Sequence, residues 1–260
     1  MRIVGKIAVL VLYLFLLAPV ILVYPLSFSG DALLSFPPSS WSLRWYHALF
    51  ADAKMGKAFL TSLALGVSVT VLTLALALPA AYAIVRRRTW ITAALTHVLT
   101  APLLLPTIVL GLAILIVFSN LGLLGNFWGI LLAHATLTLP YALRVLVTAI
   151  SGLDRTAEAA AATLGAPPLV VFRRITLPAM RPGIIAAAAL SFLVSFDEVV
   201  ITLFLAGPRL TTLPVELYHR VELQADPLVA AVSALVVLVT VAVVVVIDRS
   251  VGLSGTFVRS

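Results

Sequence analysis

Charge is what this 260-residue chain lacks most: Asp, Glu, Lys and Arg make up 10% of it, against 62% hydrophobic residues. A soluble domain of this size clothes its surface with about 25% charged residues, so most of this surface faces something other than water. Cysteine is absent, which excludes disulfides, thiolate metal sites and dithiol redox motifs. No G-x-x-x-x-G-K-[ST] run is present to cradle nucleotide phosphates, and no G-x-S-x-G offers the nucleophile of a membrane hydrolase. His47, His97, His134 and His219 are scattered without H-E-x-x-H or similar ligand spacing, so neither zinc nor a histidine base is expected. Strong internal periodicity of the kind that builds solenoids is also missing.

What is present is apolar length, with a mean hydropathy of +1.18. A helix needs about 20 mainly apolar residues to cross about 30 Å of hydrocarbon. Six segments qualify: about 7–26, 58–84, 94–118, 127–147, 183–206 and 228–247. Pro79, Pro102, Pro106 and Pro140 fall inside or near them, which transmembrane helices tolerate when neighbours satisfy the freed carbonyls. The first run follows Arg2 and Lys6 as a signal peptide would. It is longer than a usual signal core, and no small-x-small cleavage site follows Tyr24-Pro25-Leu26, so an uncleaved first span is expected. The expected fold is an all-α polytopic membrane protein, with residues 1–260 forming a single transmembrane domain of six helices.

The net charge of +7 sits in short basic runs beside apolar segments, the pattern of topogenic signals rather than of nucleic-acid binding. With the N-terminus cytoplasmic, the inner side receives Arg2, Lys6, Arg86, Arg87, Arg88, Arg144, Arg155, Arg173, Arg174, Arg181, Arg249 and Arg259. The outer side receives Arg44, Lys54, Lys57, Arg209 and Arg220, so the 17 basic residues divide 12 to 5. Both termini are therefore expected in the cytoplasm, with Arg86, Arg87 and Arg88 as topology anchors. Trp41, Trp45 and Tyr46 suit an outer interfacial aromatic belt.

The connection 148–182, between the fourth and fifth spans, is neither a polar tether nor a span. Ser151 or Asp154 can cap a helix through Glu158 and the alanines 159–162, and Gly165 can end it. Pro167 fits the first turn of a second short helix ending near Ile175, with Pro178 and Pro182 breaking the chain before the fifth span. The alanine-rich first helix lets another backbone approach closely.

The run Glu158-Ala-Ala-Ala-Ala-Thr-Leu-Gly165, nine residues, then Ile175-Thr-Leu-Pro178 resembles the EAA loop of ABC importer permeases: E-A-A, three residues, G, nine residues, I-x-L-P. Gly165, Ile175, Leu177 and Pro178 match in register. The glutamate departs from it, because the family position falls on Ala159 and the acid stands one place earlier at Glu158. Thr61-Ser-Leu, with Pro79-Ala-Ala-Tyr-Ala83 and the arginines after it, looks like the opening of the permease core. Ser195-Phe-Asp-Glu-Val-Val-Ile-Thr202 and Leu213-Pro214 look like the spermidine/putrescine-type, PotC-like subfamily.

That resemblance implies a permease subunit of a bacterial inner-membrane importer, moving polyamines or related cationic amines. Another amino compound or an opine-like solute is the alternative within the family. It further implies two ATPase subunits that bind ATP and Mg²⁺ and dock on the coupling loop (Glu158, Ala159, Ala160, Gly165, Ile175, Leu177, Pro178). A second permease chain, such as a PotB-like paralogue, and an external substrate-binding protein complete the assembly, and this chain itself binds no cofactor and is no enzyme. An ion-coupled secondary transporter is the rival of a different class, but its usual repeats and paired broken helices are not evident.

Asp197 and Glu198 lie within the fifth predicted span, where an ionised acid costs about 2.5–3.5 kcal/mol on insertion scales and normally faces a cavity or a partner. Two readings stay open: an electronegative lining for a cationic substrate, with Ser195 and Thr202 beside it, or a structural pair bonded to those hydroxyls. Between Gly207 and Pro227, Leu213, Leu217 and Val221 recur at helical spacing and predict a short outer amphipathic helix. It either meets the binding protein, acts as an outer gate or rests on the membrane domain.

Overall fold

In a computed structural model, residues 2–87, 89–208, 210–223 and 226–251 are described. Arg88, Arg209, Arg259 and Ser260, with the C-terminal end of the expected topology, lie outside them. The helices in chain order are α1 (Arg2–Ser27), α2 (Arg44–Ala51), α3 (Ala53–Arg86), α4 (Trp90–Thr100) and α5 (Thr107–Leu121). There follow α6 (Phe127–Ser151), α7 (Thr156–Thr163), α8 (Pro168–Val171), α9 (Leu177–Ala179), α10 (Arg181–Phe196), α11 (Val200–Leu205), α12 (Leu213–Leu223) and α13 (Leu228–Val251). A 3₁₀ turn, Ala101–Leu104, extends α4, and a π-turn, Phe172–Thr176, joins α8 to α9. Packing groups the chain into two units, Ala58–Val215 and Met1–Lys57 with Glu216–Ser250.

Helices α1, α3 and α6 are each long and apolar enough to cross a membrane alone. The interval expected as the third span is a bent pair, α4 with its 3₁₀ turn meeting α5 at 107°. Pro106 explains the bend: it cannot donate to the ladder, and it drives Leu105 to an extended conformation (φ −97°, ψ 137°). The fifth interval is bent by 70° at its entry from the 148–182 loop and broken at 197–199. In α13 the apolar stretch described is Leu228–Ala242.

Within Ala58–Val215 the core is built on α6, the most buried of the long helices. At one end Ile130, Leu131 and Leu137 pack with Leu65 and Val69 of α3, Leu110 and Ile114 of α5, and Ile201 and Leu205 of α11. At the other end Ala142, Leu143, Leu146 and Ile150 pack with Ala77 and Ala81 of α3 and Ala187 of α10. Small residues at that contact let the backbones approach, as helices do where lipid removes the hydrophobic drive. Between the clusters Thr73 and Thr138 share a buried hydroxyl–hydroxyl bond of 2.7 Å. Other hydroxyls turn onto their own helix: Thr70 donates to the Gly66 carbonyl and Thr136 to that of Leu132. The latter two bonds keep polar groups satisfied in an apolar solvent. Both α3 and α6 run unbroken through Pro79 and Pro140.

In the other unit, the turn after α1 is organised by one acid. Asp31 accepts from the hydroxyls of Ser29, Ser35 and Ser39 and from the Ser39 N–H, while Trp45 Nε1 donates to the Asp31 carbonyl. Those hydroxyl and N–H donors hold the Asp31 carboxyl well below the usual carboxylate range. Arg44 stacks over the Trp45 ring, and Trp41 is exposed.

Candidate coupling loop and transport path

The loop between α6 and α10 is a helix–turn–helix. Asp154 Oδ1 accepts from the Thr156 N–H (3.0 Å) and hydroxyl (2.7 Å), steadying the start of α7. Its other end closes in a Schellman pattern: the Gly165 N–H donates to Ala162 (3.0 Å) and the Ala166 N–H to Ala161 (3.1 Å). Gly165 has φ +80°, a left-handed conformation that glycine adopts without a Cβ penalty. The second arm is longer than the sequence predicts, running through the π-turn to Ala179 instead of ending near Ile175. Pro178 is accommodated because the π-turn carries the Leu177 N–H to the Phe172 carbonyl, so the wider turn absorbs the missing donor.

Ala159, Ala160 and Gly165 are exposed at the tip, Ile175 and Leu177 are half-buried in the second arm, and Pro178 is exposed. Leu164 beside the turn is 87% exposed. Glu158 is different. Its Oε1 accepts from Arg86 Nη2 at 2.7 Å and from the Thr176 hydroxyl at 2.8 Å, so it faces the end of α3 rather than the tip. Arg86, expected as a topology anchor, is thereby turned inward; Arg87 is exposed.

The expected acid pair lies at the break between α10 and α11. Asp197 ends α10 and is exposed, while Glu198 is half-buried and accepts from the Ile201 N–H at 2.9 Å, capping α11. Phe196 stacks on Phe192 at 5.5 Å between centroids and meets Phe59 edge-on at 6.3 Å. Ser195 and Thr202 are buried on either side of the break and are joined by a residue given no role by the sequence patterns. His134 of α6, fully buried, has Nδ1 3.0 Å from Ser195 Oγ and Nε2 2.9 Å from Thr202 Oγ1. Thr202 donates to the Glu198 carbonyl at 3.0 Å, so it accepts from Nε2–H, and Nδ1 accepts from Ser195. One imidazole thus clamps both half-helices. The signal was a lone histidine in the middle of an apolar span, where a polar group finds a partner.

The short helix expected between Gly207 and Pro227 exists as α12, but its seam is ionic. Leu213 is buried, Leu217 half-buried and Val221 exposed, whereas Glu216 is buried and pairs with Lys54 at 2.9 Å. Arg220 pairs with Asp52 at 3.0 Å and Asp226 at 3.2 Å. Asp52, Lys54, Glu216 and Arg220 line an open cleft of about 310 Å³. The apolar spacing failed as a guide because opposite charges at 52, 54, 216, 220 and 226 satisfy one another there. Burial pushes the Asp52 carboxyl up, but the Met55 and Lys54 N–H groups and Arg220 outweigh it and leave the carboxyl below its ordinary value.

An all-α bundle with an exposed helix–turn–helix between two spans, and a broken helix carrying two acids, is the membrane-spanning part of a transporter. Residues 73–259 match the binding-protein-dependent transport system inner membrane component family, and the chain belongs to it.

The chain is 34% identical to the putrescine transport system permease protein PotI of Escherichia coli (strain K12), over 89% of this chain and 85% of that protein. It is 30% identical to the spermidine/putrescine transport system permease protein PotC of Haemophilus influenzae, over 90% of this chain and 91% of that one. It is also 35% identical to the molybdenum transport system permease protein ModB of Mycobacterium bovis, over 80% and 82%. A solved structure of a bacterial ABC transporter involved in the import of the acidic polysaccharide alginate shares the fold, with TM-score 0.71 at 18% identity, covering 96% of this chain and 95% of that chain. The resemblance drawn from the loop is therefore borne out at the level of the family, and polyamine permeases are among the relatives.

Proposed function

We propose that this chain is one membrane-spanning half of an ATP-driven importer for polyamines or related cationic amines. The observation that carries the reading is the exposed loop tip. A leucine 87% exposed beside a Schellman turn forgoes about 2 kcal/mol of burial, which a partner groove would return. A short helix laid into such a groove is a common recognition mode, and ATPase subunits are the partners with that task. They carry ATP and Mg²⁺ and perform the hydrolysis; this chain performs none. A second permease chain, either another copy or a PotB-like paralogue, completes the path, and an external binding protein delivers solute. Both termini lie in the cytoplasm.

The sign of the solute's charge rests on the break. Relatives include permeases for a cationic amine and for molybdenum at similar identity, so identity alone does not set it. Asp197 and Glu198 directly follow α10, which ends in the stacked and half-buried Phe192 and Phe196, and both carboxylates and aromatic faces favour ammonium groups. The test uses proteoliposomes holding the whole assembly, with labelled putrescine, spermidine and molybdate. ATP-dependent uptake of a polyamine and none of molybdate is expected. Molybdate uptake refutes the cationic reading; uptake driven by an ion gradient without ATP refutes the importer.

A further inference from the structure

We propose that Arg86, Glu158 and Thr176 form a latch that makes the end of α3 move as one piece with the coupling loop. Glu158 then transmits force within the chain and does not touch the ATPase; this rests on the coupling reading above. One carboxylate oxygen joins three elements: Glu158 Oε1 on α7, Arg86 Nη2 at the last residue of α3 (2.7 Å), and the Thr176 hydroxyl in the π-turn (2.8 Å). The Arg86 and Glu158 side chains are only 10% and 15% exposed, so solvent ions screen the pair little. Arg86 Nε has no partner among the described residues, which leaves the bond to Glu158 to orient the guanidinium. Tyr82, one turn back on α3, meets Phe172 of the second arm edge-on at 4.8 Å.

The loop is already tied to α6 and α10 by the chain itself. Arg86 stands 72 residues from Glu158, so α3 gains its link to the loop only through side chains such as these. The one-place shift of the acid explains the arrangement. Adjacent helix positions differ by about 100°, and Ala159 points to the exposed tip while Glu158 points back to α3. A glutamate in the family register would stand at 159, on the tip. In this chain the tip is apolar and the acid is internal.

The experiment uses the full assembly with its ATPase and binding protein, purified and in proteoliposomes. The variants are E158Q, R86Q, T176V and the exchange R86E/E158R. Three quantities are read: the yield of co-purified ATPase, ATP hydrolysis without binding protein, and putrescine imported per ATP. E158Q and R86Q should keep the ATPase in full yield. Hydrolysis without binding protein should rise by at least about 5-fold, the lower end of coupling factors between sites, because closure of the ATPase no longer has to move α3. Import per ATP should fall correspondingly, and the exchange should restore both, which a merely structural role would not require.

Wild-type hydrolysis and import in both single variants overturn the latch. So does loss of the ATPase in E158Q but not in R86Q, since that makes Glu158 a docking residue. If the single variants fail to insert, T176V decides: it keeps the ion pair and removes one hydroxyl, and normal coupling there overturns the proposal. If the wild type imports no putrescine, the polyamine reading fails by itself and the hydrolysis measurement still decides the latch.

Discussion

Replacing His134 by leucine tests the clamp across the α10–α11 break. Leucine has a similar bulk but neither ring nitrogen, so packing is nearly kept while the bonds to Ser195 (3.0 Å) and Thr202 (2.9 Å) are lost. Thr202 retains the Glu198 carbonyl as an acceptor. Ser195, buried to 3% exposure, must turn to its own helix or stay unpaired. Interhelical side-chain bonds in membranes average about 0.6 kcal/mol and reach about 1.7, so two of them predict a loss of about 1–3 kcal/mol. Unfolding free energy in mixed micelles measures it, and a double-mutant cycle with S195A isolates the bond. If the clamp is real, H134L/S195A costs little more than H134L alone. A loss of under about 0.5 kcal/mol, or strict additivity of the two changes, refutes the clamp.

Gly165→Val meets open space at its Cβ but must hold φ +80°; the left-handed conformation costs about 1–2 kcal/mol, and ATPase co-purification should fall while membrane insertion stays normal. Asp197→Asn and Glu198→Gln keep shape, and glutamine can still accept from the Ile201 N–H, so reduced amine uptake at unchanged stability identifies a path role, whereas lost stability identifies a structural one. Arg220→Gln leaves Asp52 and Asp226 facing each other without a counter-charge; allowing for the 26% exposure of Arg220, about 1–3 kcal/mol should be lost on unfolding. The Asp52 carboxyl is held below its ordinary 3.8, so its contribution is present above that pH and lost as pH falls through the lower folded value. Wild-type stability should be flat from about pH 8 to 5 in this respect, and in R220Q the loss on acidification that Asp52 contributes should shrink, because its folded value then lies nearer the unfolded one. Single cysteines at Thr89 and Ser260 should resist an impermeant external thiol reagent in sealed cells, and one at Ser39 should react; labelling at 260 refutes the orientation.

Features that depend on short stretches of chain were legible in the sequence. The apolar runs of α1, α3 and α6 are long enough to declare themselves, and an alanine run ended by Gly165 announces a helix with a left-handed stop. Pro102 and Pro106 mark a break in the third apolar interval, and Pro106 makes the bend, but its size of 107° depends on how α4 and α5 each pack against α6, which spacing does not encode. Because a proline reads as a stop, the sequence predicts an earlier end for the second arm, which in fact runs on to Ala179. A π-turn removes the conflict between Pro178 and the preceding carbonyls, and nothing local signals that turn. Pairings at long range were invisible for the same reason. Arg86 reads as a topology charge and Glu158 as a docking acid until the fold sets them 2.7 Å apart. The ionic seam of α12 likewise joins residues more than 150 positions distant.

The same geometry connects the loop to the acid pair. The second arm passes through α9, turns at Met180 and becomes α10, whose 16 residues span about 24 Å as a helix. At its far end stand Asp197 and Glu198. Force applied at the loop tip would therefore reach the acids through the 70° bend at Met180 and then along the continuous helix α10. Beyond the break, α11 would be free to lag behind if only the three non-helical residues 197–199 joined it to α10. His134 prevents that by bonding one residue on each side, and it does so from α6, the helix most deeply seated in the core. A displacement of α10 must then either carry α11 with it or break the two imidazole bonds. The cost of about 1–3 kcal/mol expected for H134L is of the size that separates two conformations of a working transporter, 1–3 kcal/mol being typical of coupling between sites. The break with its clamp is thus suited to hold one arrangement of the acids until the loop moves.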